Sequence, residues 1–133
     1  MGNRTPVEAH YEAAAHGDLD GMTADFADDI VWVEAAGFPL AGAYRGRDEI
    51  AQRVFAALTA EWDGFGMIPE RFVEQDGTVV AIGRYIGTHR ATGKALDARA
   101  VHIWKVEGDA IVGFEQIVDT ALVVAARTQE DEA

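Results

Sequence analysis

Residues 95–119, ALDARAVHIWKVEGDAIVGFEQIVD, constrain this chain more than any other stretch. Val101, Ile103 and Lys105 alternate with His102, Trp104 and Val106, and a period of two marks a strand with two distinct faces. Glu107-Gly108-Asp109 supplies turn chemistry. Ile111, Val112, Phe114, Ile117 and Val118 then make an apolar returning strand. A hairpin this long is not stable alone in water. It requires more strands beside it and helices over one face.

The rest of the chain supplies both. Thr5-Pro6 is a helix start, a hydroxyl N-cap followed by proline at the first helical position. Glu8 completes a capping-box pattern. This helix is expected to run to about Ala15 and stop at Gly17. Asp18 caps a second helix, LDGMTADFA, with Leu19, Met22 and Phe26 at helical spacing. Ile30–Glu34 reads as a short strand, and Ala35–Gly46 as a loop rich in glycine and holding a proline. Asp48 to about Ala60 reads as a third helix with Ile50, Val54, Ala57 and Leu58 on one face. Strands follow. Phe65–Glu74 is one, which Pro69 confines to a sheet edge or to a start after the proline. Asp76-Gly77 is a hairpin turn. Thr78–Arg90 is the next strand, and Thr92-Gly93 turns into the central hairpin. Ala121–Arg127 reads as a short terminal helix, with residues from about 128 to 133 a frayed tail.

Helices gathered ahead of an antiparallel meander give an α+β class. The expected architecture is a curved antiparallel sheet wrapped around three N-terminal helices, a cone with an apolar pocket at its wide end.

Composition limits the functions open to such a cone. The 133 residues fit one domain, 1–133, and 49% hydrophobic content is that of a folded chain. No run of 18 apolar residues would cross a membrane, and MGNRTPVEAHYE lacks the apolar stretch of a signal peptide. The expected location is the cytoplasm. With no cysteine there is no disulfide, thiol nucleophile or cysteine-ligated zinc. His10, His16, His89 and His102 show no HExxH or other tight ligand spacing, so no metal site is expected. The net charge is −12 and the 11 Lys and Arg are scattered, which argues against a nucleic-acid partner.

Four segments carry a family resemblance: GDLDGMTADFADDIVWVEAAG at Gly17–Gly37, the loop and helix start GAYRGRDEI, the strand HIWKVEGDAI and the final strand FEQIVDTA. Together they resemble the nuclear transport factor 2-like superfamily, which includes ketosteroid isomerases and SnoaL-like polyketide cyclases. The resemblance covers nearly the whole chain. It implies the cone-shaped fold, but this fold hosts isomerases, cyclases, epoxide hydrolases, dehydratases and non-catalytic binding domains.

The resemblance also implies site residues. FADDIVWVE matches without a gap the isomerase segment that ends in the general base, which puts Glu34 at that position. A carboxylate ending an apolar strand has its charged form disfavoured, which suits a base. The isomerase tyrosine falls on His10, beside Tyr11, and its protonated aspartate on Val101, which can donate nothing. That aspartate is a worked example of a carboxylic acid kept neutral by its site. The aspartate of the cyclases and epoxide hydrolases falls on Gln116, and the hydrolase Arg and Asp on Gly83 and Tyr85. No known mechanism of the family carries over whole.

Alternation gives the expected pocket lining. If Val101 faces in, so do Asp97, Arg99 and Ile103. Gln116 brings Phe114 and Val118, and Tyr85 brings Gly83 and Gly87. Trp32 shares Glu34's face. Trp62 and Phe65 are expected as a lid or a hydrophobic plug. The opposite face then carries His102 and Trp104, too apolar for water, and the resemblance implies a homodimer through it. Two functions fit. One is a cofactor-free acid–base enzyme (an isomerase, cyclase or hydrolase) acting on a small apolar carbonyl or epoxide, with Glu34 as base and Tyr85 or His10 holding developing charge. The other is a non-catalytic small-molecule-binding domain of the same fold.

Overall fold

A computed structural model describes residues 3–129 of the chain. Helix α1 (Arg4–Ala15) leads to α2 (Leu19–Thr23), strand β1 (Phe26–Glu34) and strand β2 (Gly42–Arg45). A composite helix follows: α3 (Arg47–Ile50), a π-helical turn at Ala51–Phe55 and α4 (Ala56–Glu61). Four long strands come next, β3 (Trp62–Gln75), β4 (Thr78–His89), β5 (Ala95–Glu107) and β6 (Ala110–Val118), and then α5 (Thr120–Arg127).

The class is α+β, as expected, and no helix interrupts residues 78–118. The six strands form one curved, unclosed sheet in the order β2-β1-β6-β5-β4-β3. Every pairing is antiparallel except β1 with β6. That parallel pair closes the meander back onto the N-terminal strand.

Local chemistry explains most boundaries. Asp18 caps α2 by accepting the Gly21 N–H at 3.0 Å. Asp76 and Gly77 both take positive φ, 50° and 83°, which is what a two-residue hairpin between twisted strands needs. Pro69 is accommodated because β3 is the edge strand and bulges between Pro69 and Arg71. Four expectations need correction. Helix α1 starts at Arg4 after Asn3, which makes no side-chain cap, so the Thr5 capping box does not form. Phe26 belongs to β1 rather than to the second helix, because its ring is needed in the core under the sheet. Part of the expected loop at Ala35–Gly46 pairs as β2, with Trp32 opposite Tyr44. Strand β3 begins at Trp62, before Pro69 and before Phe65.

The core has two joined clusters. One packs Trp32, Trp104, Phe114 and Phe26 under Val7, Tyr11 and Val54. The other gathers Trp62, Tyr85, Phe38, Leu96 and Val123 under α5. The candidate site lies where they meet. Among the described residues no helix is long and apolar enough to cross a membrane.

Candidate active site

The inner face of the sheet can be read in rows. Trp32, Phe114, Trp104 and Val79 lie side by side across β1, β6, β5 and β4. The next row has Gln116, His102 and Ala81 in register, with Glu34 ending β1 beside them. The aromatic row is tightly stacked, with the Trp32 and Phe114 ring centroids 3.7 Å apart. It makes a dry floor, and polar groups above such a floor must find partners.

They find them in one continuous network. His102 sits between two phenols, with Tyr11 Oη 2.6 Å from Nδ1 and Tyr85 Oη 2.6 Å from Nε2. Trp104 Nε1–H donates to Tyr11 Oη at 3.0 Å. Gln116 Nε2–H donates to Tyr85 Oη at 2.8 Å, and its Oε1 accepts the Ala35 N–H at 2.9 Å. Burial holds the His102 pKa down to about 3, with His10 nearby adding to the effect, so the imidazole is neutral. Burial likewise pushes both phenols well above the usual tyrosine range.

Glu34 stands at the end of this network. It is 3% exposed. Oε2 accepts the Trp32 Nε1–H at 2.6 Å, whereas Oε1 is buried with no hydrogen-bond partner. Burial pushes its pKa up to about 7, against the Trp32 indole and the Gln116 amide, which pull it down. The Glu34 charge in turn helps to raise Tyr85. A carboxyl that titrates near neutrality, with one oxygen free and a phenol close by, is equipped to take and return a proton.

The structure therefore brings Glu34, Tyr85, Gln116, Trp32 and Phe114 to one side of the sheet. It does not bring Asp97, Arg99 or Val101 there. These lie on the outer face, where Asp97 pairs with Arg84 at 2.9 Å and Arg99 with Glu70 at 2.8 Å. Val101 is half-buried there, opposite Ile82 and Ile117. The cause is a bulge. The turn at Gly108-Asp109 alone would place residue 101 opposite residue 116. An extra residue in β6, where Lys105 pairs with Gly113 but Val106 with Ile111, moves His102 there instead. A one-residue shift exchanges the two faces of a strand. His102 and Trp104 are thus core residues, and a dimer through a His102/Trp104 face is ruled out by their burial, 6% and 0% exposed.

His10 is also corrected. It is buried, and Nδ1–H donates to the Met22 carbonyl at 2.9 Å. Burial lowers its pKa to about 4, so Nε2 carries no proton. It cannot be the donor that polarises a carbonyl. Trp62 is a plug rather than a lid, fully buried with its ring edge-on to His89. Sequence reasoning missed Tyr11, His102 and Trp104 as site residues. One signal for the last two was present: in β5 the charges Asp97, Arg99, Lys105 and Glu107 all share the other face.

Two surface depressions lie away from this network. One of about 650 Å3 runs along α5 past Gly37 and Lys94, and one of about 420 Å3 lies at Asp28 and Arg45–Glu49. Tyr85 is covered instead by the rings of Phe38 and Phe65. Among the described residues no group of three or more His, Asp or Glu is placed to hold a metal ion.

Comparison with known proteins agrees with this architecture. The SnoaL-like domain family model matches residues 7–114. A crystal structure of an NTF2-like protein from Burkholderia thailandensis is 43% identical, with a TM-score of 0.92, over 96% of this chain and 98% of that one. An NTF2-like protein of unknown function from Burkholderia pseudomallei is 28% identical, with a TM-score of 0.88, over 96% and 99%. TerC, co-crystallized with polyporic acid, shares the fold at 24% identity and a TM-score of 0.85, over 93% and 96%. No curated protein matches the chain. With its inward carboxylate at the end of β1 and its curved sheet over N-terminal helices, this chain belongs to the SnoaL-like domain family of the NTF2-like fold.

Proposed function

We propose that the protein is a cofactor-free acid–base enzyme acting on a small, mostly apolar molecule that carries a carbonyl or an epoxide. The observation that carries this reading is Glu34 Oε1, a buried carboxylate oxygen without a partner, on a group titrating near 7. A structural carboxylate would have both oxygens satisfied. Glu34 would abstract a proton or activate a nucleophile. Tyr85, whose oxygen is fixed by Gln116 and His102, would donate its hydroxyl proton to the oxygen that gains charge. The aromatic floor of Trp32 and Phe114 would hold the apolar body of the substrate. Entry would require Phe38 and Phe65 to move off Tyr85. TerC, of the same fold, was co-crystallized with polyporic acid, which supports a small organic molecule as the ligand.

The test is proton exchange in deuterated water, followed by NMR on a panel of small cyclic ketones and enones. The wild-type chain is expected to label the carbon next to the carbonyl. Glu34→Gln is expected to lose roughly 10²–10⁴ in rate. Equal exchange by both proteins would overturn the assignment of Glu34.

A non-catalytic binding domain is the second reading. It is favoured by the burial of Tyr85 and Glu34, 4% and 3% exposed. Saturable binding of such ketones without any exchange would select it.

We also propose a homodimer, now through the true outer face. Val33, Ile117 and Val73 are exposed there, beside the half-buried Val101 and Ile103. An apolar sheet face of this breadth is expected to be covered.

A further inference from the structure

The two phenols and the imidazole of His102 hold one proton more than the bonds between them can use. A neutral imidazole has one N–H and one lone pair. Its two nitrogens each meet a phenol oxygen, Tyr11 at Nδ1 and Tyr85 at Nε2. One phenol must therefore donate to the ring, and the other must accept from it. The accepting phenol keeps its own O–H for something else. Each phenol oxygen also takes one N–H from outside the ring, Tyr11 from Trp104 and Tyr85 from Gln116. The two arrangements differ only in which tyrosine holds the spare donor.

Their surroundings are not equivalent. The bonds of Tyr11 Oη are those to His102 and Trp104, and the ring packs against Phe72 and Trp104. A spare O–H there would be buried without an acceptor, which is unfavourable. The Gln116 amide bonds Tyr85 Oη and also acts on Glu34, whose Oε1 makes no hydrogen bond. The Glu34 charge acts on Tyr85 but is not among the influences on Tyr11, so a spare O–H on Tyr85 lies in the field of a carboxylate.

We propose that His102 is a positioning residue: it is held as the Nε2–H tautomer, accepts from Tyr11, donates to Tyr85, and so leaves the Tyr85 hydroxyl proton directed to the space before Glu34. This rests on the reading of Glu34 and Tyr85 as the acid–base pair. It assigns to Tyr11 and Trp104 the task of fixing the tautomer. The bonds run in one direction, from Trp104 through Tyr11 and His102 to Tyr85. Donors in series polarise one another, which makes the last hydroxyl a stronger donor.

The experiment is nitrogen-15 NMR of the full chain with labelled histidine, together with carbon-13 NMR of the Glu34 carboxyl through a pH titration. At neutral pH, His102 is expected to be neutral with its proton on Nε2. In Tyr85→Phe the Glu34 midpoint is expected to rise by roughly 1 unit, because a donor facing the charged form is lost. A proton on Nδ1, a charged ring at neutral pH, or a Glu34 midpoint unmoved by Tyr85→Phe would each overturn the proposal. The wild-type tautomer is measured without any variant, so misfolding of Tyr85→Phe does not remove the test. Failure of the acid–base reading looks different: Glu34 would titrate as an ordinary carboxylate in the wild type, whatever tautomer His102 shows.

Discussion

His102 and Gln116 lie directly opposite one another across β5 and β6, and both point into the core. Their pairing depends on the bulge between them and the hairpin turn. It delivers two bonds to a single phenol oxygen, one from each residue, and so anchors Tyr85 from two strands at once.

Glu34→Gln should change stability in a pH-dependent way. The folded pKa of about 7 lies above the ordinary glutamate value of 4.5. Between these values the folded state binds more protons than the unfolded one, so stability falls as pH rises. The stabilising contribution is complete below about 4.5 and gone above about 7. The glutamine variant escapes this loss. It should be more stable than wild type by on the order of 3 kcal/mol above pH 7, with the gain fading towards pH 4.5. Urea unfolding at several pH values measures it. A variant less stable at pH 8 would make Glu34 a structural anchor.

The buried histidines act with the opposite sign. His10 and His102 have folded pKa values of about 4 and about 3, against 6.5 when unperturbed. The unfolded state binds more protons below 6.5, so stability is complete above that and lost as pH falls. Replacing His102 by Phe should destabilise the protein at pH 7, because it strands two buried phenols. It should also flatten the acid limb by about one proton, roughly 1.4 kcal/mol per pH unit. An unchanged slope between pH 4 and 6 would show that His102 is not buried in neutral form.

Gly83→Ala should be severely destabilising. A Cβ at residue 83 would lie 2.0 Å from the Ile68 carbonyl oxygen, a backbone atom with little freedom to retreat. Edge strand β3 lies close against β4 at this point, with Pro69 paired to Gly83 beside the bulge. The expected cost is about 3 kcal/mol or more, or a displaced β3. A melting temperature within a degree or two of wild type would mean the strand yields freely.

The proposed dimer can be tested on Ile117, 49% exposed and opposite Val101 on the outer face. Ile117→Lys should convert a dimer into a monomer without loss of fold, since the side chain leaves no core contact. Light scattering combined with circular dichroism reads both. A wild-type chain that is monomeric at micromolar concentration removes the proposal.

The sequence by itself determined the class of fold, the long hairpins and the residue that ends β1. These follow from local physics. Period-two alternation, the Asp76-Gly77 turn and the Asp18 cap each act within a few residues, and the family segments fix their order. Glu34 and Trp32 were legible on one face because no irregularity lies between them. The parallel pairing of β1 with β6 was not legible, since it joins residues about 80 apart and leaves no local mark. Nor was the facing of β5. There the turn and the charge pattern disagreed, and one unpaired residue in β6 decided for the charges. Asp97 and Arg99 could be solvated only on the outer face, whereas Trp104 could be buried only on the inner one. The cost of burying charge exceeds the cost of a bulge, and only the assembled sheet brings those two costs into competition.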